Sequence, residues 1–134
     1  MSQENVDLVR RMYTLADHGD ETMWDLVPPD VYFDFSRRLI DPVAIRGRNQ
    51  ARAWYEREME GWEGGHTRWE PKELIDAGHQ VLAFVRTGGR GKASGVEVAT
   101  LVWNLWTFRD GRPVAWTYFG DDRAAAYEAA GLSE

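Results

Sequence analysis

Residues 100–119 read TLVWNLWTFRDGRPVAWTYF, two aromatic runs joined by Asp110-Gly111. Asp-Gly between extended apolar runs is a strong short-range signal for a two-residue hairpin turn, whose central positions both need positive φ. With the turn placed, pairing follows by counting outward. Arg109 faces Arg112, Phe108 faces Pro113, Trp106 faces Ala115, Asn104 faces Thr117 and Val102 faces Phe119. Strand side chains alternate between faces. This register therefore sets Val102, Asn104, Trp106 and Phe119 on one face, and Trp103, Leu105, Trp116 and Tyr118 on the other. A sheet that is apolar on both sides must cover both. Helices of the chain are expected on the first face. On the second, either another copy docks through Trp103, Leu105, Trp116 and Tyr118 as a homodimer, or the terminal helix lies there. Asn104, polar in the middle of an aromatic face, marks a pocket wall. Pro113 cannot donate to a ladder, so the start of the last strand is expected at an edge or projecting beyond its neighbour.

Outward from the hairpin, turn residues divide the chain. Residues 3–18 carry Val6, Val9, Tyr13 and Ala16 at helical spacing, stopped by Gly19. Asp20 caps a short helix over 21–27, which Pro28-Pro29 ends. Residues 31–36, VYFDFS, form a strand, 37–47 a loop, and 48–60 a third helix. Strands are expected over 66–76, 80–87, 93–108 and 114–119. A last helix over 122–130 is capped by Asp121 or Asp122 and closed by Gly131-Leu132. Helices with one early strand, then a meander of long strands, make an α+β domain with helices packed on one curved sheet. At 134 residues this is a single domain, 1–134.

A net charge of −6 argues against nucleic acid and anionic membrane surfaces as partners. With no cysteine, neither disulfides nor thiol chemistry is available. The start lacks a signal-peptide core and no run reaches membrane-spanning length, so a cytoplasmic protein is expected. His18, His66 and His79 lack metal-ligand spacing, so no metal site is expected. GGRGKAS fails the phosphate-loop pattern at both ends, with Arg86 where Gly is needed and Ala93 after Lys92. No cofactor is expected. Glu56, Glu58 and Glu60 read as a solvated helix face beside Arg52 and Arg57. Seven tryptophans in so short a chain suggest a cavity that stacks or encloses an organic ligand.

Several segments together resemble the SnoaL-like branch of the nuclear transport factor 2-like superfamily: ENVDLVRRMYTLADHGD, LVPPDVYFDF, the loop glycine in IRGRNQARAWY, IDAGHQVLAFVRTGGRGKASGVEV, and WTFRDGRPVAW with DDRAAAYEAAGL. The resemblance implies a cone, a strongly curved antiparallel sheet wrapped around N-terminal helices (a cystatin-like fold) with a central pocket. Its members include polyketide cyclases, ketosteroid isomerases, epoxide hydrolases, dehydratases and non-catalytic binding modules, so fold alone does not assign function.

The resemblance also implies three candidate catalytic positions. Asn104 stands where cyclases and isomerases carry a pocket-facing Asp; an amide still donates a hydrogen bond to a carbonyl or oxyanion but exchanges no proton. The isomerase base falls at Phe35, with Asp34 one position away on the opposite face unless a bulge turns it in. The isomerase tyrosine falls within one residue of Tyr13. Arg86, interrupting VLAFVRT, either holds an anionic ligand group or ends its strand in solvent. Trp54, Tyr55 and Met59, with Trp62 a further candidate just past its end, form the inward stripe of the third helix, and Trp24, Phe35, Phe84, Val102, Trp106 and Phe119 complete an apolar wall. Two functions stay open: a cofactor-independent isomerase, cyclase or dehydratase in which Asn104 and Tyr13 polarise a carbonyl and Asp34 or another carboxylate moves the proton, or a module that binds a hydrophobic or cyclic ligand without chemistry.

Overall fold

The structure, a computed structural model, describes residues 2–134. Helix α1 (Ser2–Asp17) is followed by a 3-10 segment (Glu21–Leu26), strands β1 (Tyr32–Phe35) and β2 (Val43–Arg46), and helix α2 (Arg48–Met59). Strands β3 (Arg68–Asp76), β4 (Gln80–Arg90), β5 (Glu97–Arg109) and β6 (Arg112–Gly120) then precede helix α3 (Arg123–Ala130). The strands form one curved, open six-stranded sheet in the order β2-β1-β6-β5-β4-β3. Every neighbouring pair is antiparallel except β1 with β6. No described helix is long and apolar enough to cross a membrane.

The chain's own punctuation sets the helix ends. Gly19, at φ 66°, donates to the Ala16 carbonyl while Asp20 donates to Leu15, the paired bonds that close a helix at a left-handed residue. Asp20 and Asp122 accept from the backbone N–H groups of Thr22 and Ala125. Within 37–47, expected as a loop, residues Val43–Arg46 instead pair with β1 as a short edge strand. Val43, Ala44 and Ile45 are apolar in succession, so no apolar–polar alternation announces the strand.

Asp110 and Gly111 both have positive φ, 51° and 74°, so the hairpin turn forms as its sequence requires. Arg109 meets Arg112 and Phe108 meets Pro113. The expected register then breaks. A bulge between Thr107 and Phe108 sets Trp106 opposite Trp116 and Asn104 opposite Tyr118, and a second lies between Trp103 and Asn104. One extra residue moves every later side chain to the other face. Trp116 and Tyr118 therefore point inward, and Phe119 outward. β6 lies between β1 and β5, and Pro113 precedes the segment that pairs with β1. That projecting position is one a proline tolerates.

The bulges also change what covers the sheet. Inside lies the main core, with Val9, Tyr13, Phe33, Val85, Trp106 and Trp116 among its members. Outside, α3 lays Ala126, Tyr127 and Ala130 over Leu82, Trp103, Leu105 and Phe119. The four side chains expected to form one exposed dimer face do not share a face: Trp103 and Leu105 are buried by the chain's own last helix, and Trp116 and Tyr118 belong to the interior.

Candidate functional site

The inward stripe of α1, running through Val6, Val9, Met12, Tyr13 and Ala16, buries Tyr13 against the sheet. Its hydroxyl oxygen accepts from Asn104 Nδ2 at 3.1 Å and from Trp106 Nε1 at 2.9 Å. Burial pushes the Tyr13 phenol well above its ordinary range; the bonds from Trp106 and Asn104 pull the other way and do not offset it. Two buried polar atoms nearby have no partner among the described residues, Asn104 Oδ1 and Trp116 Nε1. Turning the Asn104 amide over would let Tyr13 donate its own proton to Oδ1 and leave the amide nitrogen free instead. In either orientation one polar atom of Asn104 is unpaired. A buried polar group left so costs about 1–3 kcal/mol, so an unpaired donor and an unpaired amide atom in one core fit a place where a ligand supplies hydrogen bonds.

A cleft of about 220 Å³ opens beside this cluster, walled by Phe35, Trp54, Tyr55, Met59, Trp69 and Trp116. Tyr118 stacks on Phe35 at 5.4 Å and extends the wall. Tyr55, Trp69 and Trp116 also line a small void of about 10 Å³ that touches Tyr13 and Trp106. The three rings thus stand between the cleft and the buried cluster. Trp69 Nε1 donates to the Tyr55 hydroxyl at 3.1 Å, and burial pushes that phenol up to about 12. The Trp69 backbone is held in turn: its N–H donates to Asp17 Oδ1 at 2.8 Å, and the same carboxylate accepts two bonds from Arg68.

Across the cleft mouth, Arg38, just after β1, donates to Glu58 in the last turn of α2 at 3.1 Å. Its guanidinium also sits 5.7 Å from the Trp54 ring centre. Arg38 and Glu58 are the charged side chains lining the cleft. Tyr118 is raised above its ordinary range by partial burial, against the pull of Arg38.

Of the residues expected from sequence, Phe35, Trp54, Tyr55 and Met59 line the cleft. Asn104 and Tyr13 do meet, together with Trp106, but behind the three-ring partition. Trp24 and Val102 are core residues, 5% and 6% exposed, and Trp24 packs on Phe33 and Tyr55. The bulge that a catalytic Asp34 required does not form, and two wall expectations, Phe84 and Phe119, are corrected by face. Asp34 alternates with the buried Phe33 and Phe35 and so points out of the core, where it accepts from the backbone and hydroxyl of Ser36; no bulge turns it inward. Phe84 stacks on Trp103 at 4.4 Å under α3, and Phe119 joins the same outer cluster. Arg86 is exposed and borders a separate polar groove with Asp17, Arg68 and Glu70. The sequence reading missed Trp69, Trp116, Tyr118, Arg38 and Glu58. Pro113 was the available signal for two of them, because a residue that cannot donate to the ladder invites a bulge beside it.

The chain belongs to the SnoaL-like domain family, which matches residues 9–116. Among solved structures it is similar to Bal32a from a soil-derived mobile gene cassette (TM-score 0.78, 18% identity, 99% of this chain and 98% of that one). It is also similar to an NTF2-like protein from Burkholderia thailandensis (TM-score 0.75, 21% identity, 96% and 98%). A third similar structure is an LEH-like epoxide hydrolase of M. tuberculosis (TM-score 0.70, 16% identity, 96% and 92%). At such identities the likeness is one of fold. No curated protein matches the chain significantly.

Proposed function

We propose that the protein binds a small, flat, hydrophobic molecule bearing a carbonyl or hydroxyl oxygen, and holds it without moving protons. The observation that carries this reading is the chemistry around Tyr13. Aromatic rings wall the cleft, and behind them the polar groups are a phenol shifted far from neutrality, an amide and indole N–H groups. General acid–base catalysis needs a group that titrates near the working pH, and none of these does. Asp34 faces away, and Glu58 at the mouth is engaged with Arg38. The unpaired indole N–H of Trp116, whose ring lines the cleft, can still donate to an oxygen. Most ligand pockets have this composition, apolar walls with a few oriented polar groups.

The test is titration of the intact protein with methyl 4-hydroxybenzoate, followed by quenching of indole fluorescence. Saturable one-to-one quenching that is lost in Trp54→Ala is the expected result. Absence of saturable binding overturns the cleft as a ligand site. Isomerisation of a β,γ-unsaturated ketone by the wild type, abolished in Asn104→Ala, overturns the non-catalytic half of the reading.

A further inference from the structure

The aromatic cleft does not end at its own walls. Thr100 and Tyr118 line it on one side and, on the other, an open depression of about 510 Å³. Leu39 and Leu101 supply the apolar surface of that depression, over the buried Val102, with Arg37 and Asp121 also lining it. Two of these side chains are exposed to an extent that packing does not explain. Leu39 is 100% exposed and Leu101 48%. Leu39 is carried by the β1–β2 connection and Leu101 by β5, so two separate elements each present a leucine to the same hollow. The cleft alone, at about 220 Å³, falls short of the roughly 300–1,000 Å³ usual for organic-ligand pockets. The depression next to it brings the joined space into that range.

We propose that the depression is a tail subsite. The ligand of the cleft, on the reading above, is an amphipath whose flat head lies among the tryptophans and whose alkyl or acyl chain runs past Thr100 and Tyr118 onto Leu39 and Leu101. A hydrocarbon chain fits this hollow better than a polar arm, because burying a chain on exposed leucines removes apolar area from water on both partners. A charged arm would meet Arg37 and Asp121 together and gain from one what it loses to the other.

The test uses the methyl, butyl and heptyl esters of 4-hydroxybenzoic acid, titrated calorimetrically into the full chain. The head is constant and only the tail grows. Affinity is expected to rise about two- to fourfold per added methylene, the upper figure being full burial of each CH₂. Leu39→Ser combined with Leu101→Ser is expected to flatten that slope. Ile40→Ser, adjacent to Leu39, also exposed and lining neither cavity, is expected to keep it. A flat slope in the wild type overturns the proposal, and so does a slope that survives the double substitution. Failure of the methyl ester to bind overturns the cleft reading itself, and the tail subsite with it.

Discussion

The indoles of Trp106 and Trp116 stack across β5 and β6 with centroids 4.8 Å and planes 17° apart, yet only one has its N–H satisfied. Trp106 donates to Tyr13, and Trp116 has no partner among the described residues. Replacing either ring by Phe loses similar apolar area. Only Trp106→Phe breaks a buried hydrogen bond and strips the Tyr13 oxygen of a donor. Trp106→Phe should therefore cost about 1–3 kcal/mol more than Trp116→Phe, read as the gap between the two variants in urea unfolding. Trp116→Phe should weaken binding of a carbonyl ligand more than it weakens the fold. Equal destabilisation by both would mean that the bond to Tyr13 contributes nothing.

Asp34 gives a prediction of the opposite kind. Its carboxylate receives the N–H and hydroxyl of Ser36 in a local turn on the outside of β1. Asp34→Asn keeps an acceptor there and should leave ligand affinity unchanged within error. A tenfold loss of binding or of any activity would place the carboxylate in the cone after all.

Asp17 ties the end of α1 to the strand that carries Trp69. The bonds from Arg68, ahead of the N–H of Trp69, hold its carboxyl below the usual aspartate range against the opposing effect of burial. A folded-state pKa below the unfolded one contributes stability that is complete above the unfolded value, near 4, and is lost as pH falls through the folded value. Asp17→Asn should thus be less stable than wild type at pH 7, by about 1 kcal/mol because Arg68 is largely exposed and screened. The gap should close as the pH is taken down from about 4. Thermal unfolding of both proteins across that window reads it directly. A gap that persists at pH 2 would assign the effect to shape rather than charge.

How far the sequence led depended on whether a pattern had one reading. The stripe of Trp54, Tyr55 and Met59 follows the helical period, and three of the cleft's walls were legible from it. The Asp-Gly turn was legible because its φ requirements admit few alternatives. The strand after it was not. Residues 114–119 carry large apolar or aromatic side chains at both parities, and the one small polar residue, Thr117, suits either face of a strand, so a one-residue slip leaves no charged or strongly polar side chain on the wrong face to reveal it. Trp116, Tyr118 and Phe119 all changed sides for that reason. Trp69 lies on a strand whose burial changes phase at the bulge between Pro71 and Glu73. Glu58 sits among other helical acids, of which Glu56 does pair with Arg52 on the surface. Only the folding of the 36–42 segment over α2 singles Glu58 out, and no local pattern encodes that contact.

The Arg38–Glu58 pair joins the two lips of the cleft, and its side chains are 26% and 34% exposed. Pairs at this exposure contribute about 0.2–1 kcal/mol and weaken with salt. Arg38→Gln and Glu58→Gln should each cost less than about 1 kcal/mol in unfolding. Both should nonetheless release bound ligand faster than wild type in stopped-flow displacement, and added salt should narrow the difference. Unchanged release rates would reduce the pair to an ordinary surface contact.

The neighbouring glycines Gly88 and Gly89 of β4 differ in what a side chain would meet. A Cβ on Gly88 would stand 1.9 Å from the Val98 carbonyl oxygen, at a φ of 154° that side chains rarely adopt. The obstacle is the backbone of the adjacent strand, which cannot move without breaking the β4–β5 ladder where Val98 and Gly88 line the cleft. A Cβ on Gly89 would meet only the Trp62 ring, at 3.3 Å, and a side chain at the cleft mouth can shift by a few tenths of an ångström. Gly88→Ala should cost about 2–4 kcal/mol through strain and lost pairing, while Gly89→Ala should stay within about 0.5–1 kcal/mol of wild type. Denaturant midpoints of the two variants measured side by side decide it. If Gly88→Ala proves the milder of the two, the close approach of β5 to β4 at this point is wrong, and with it the cleft wall that Val98 provides.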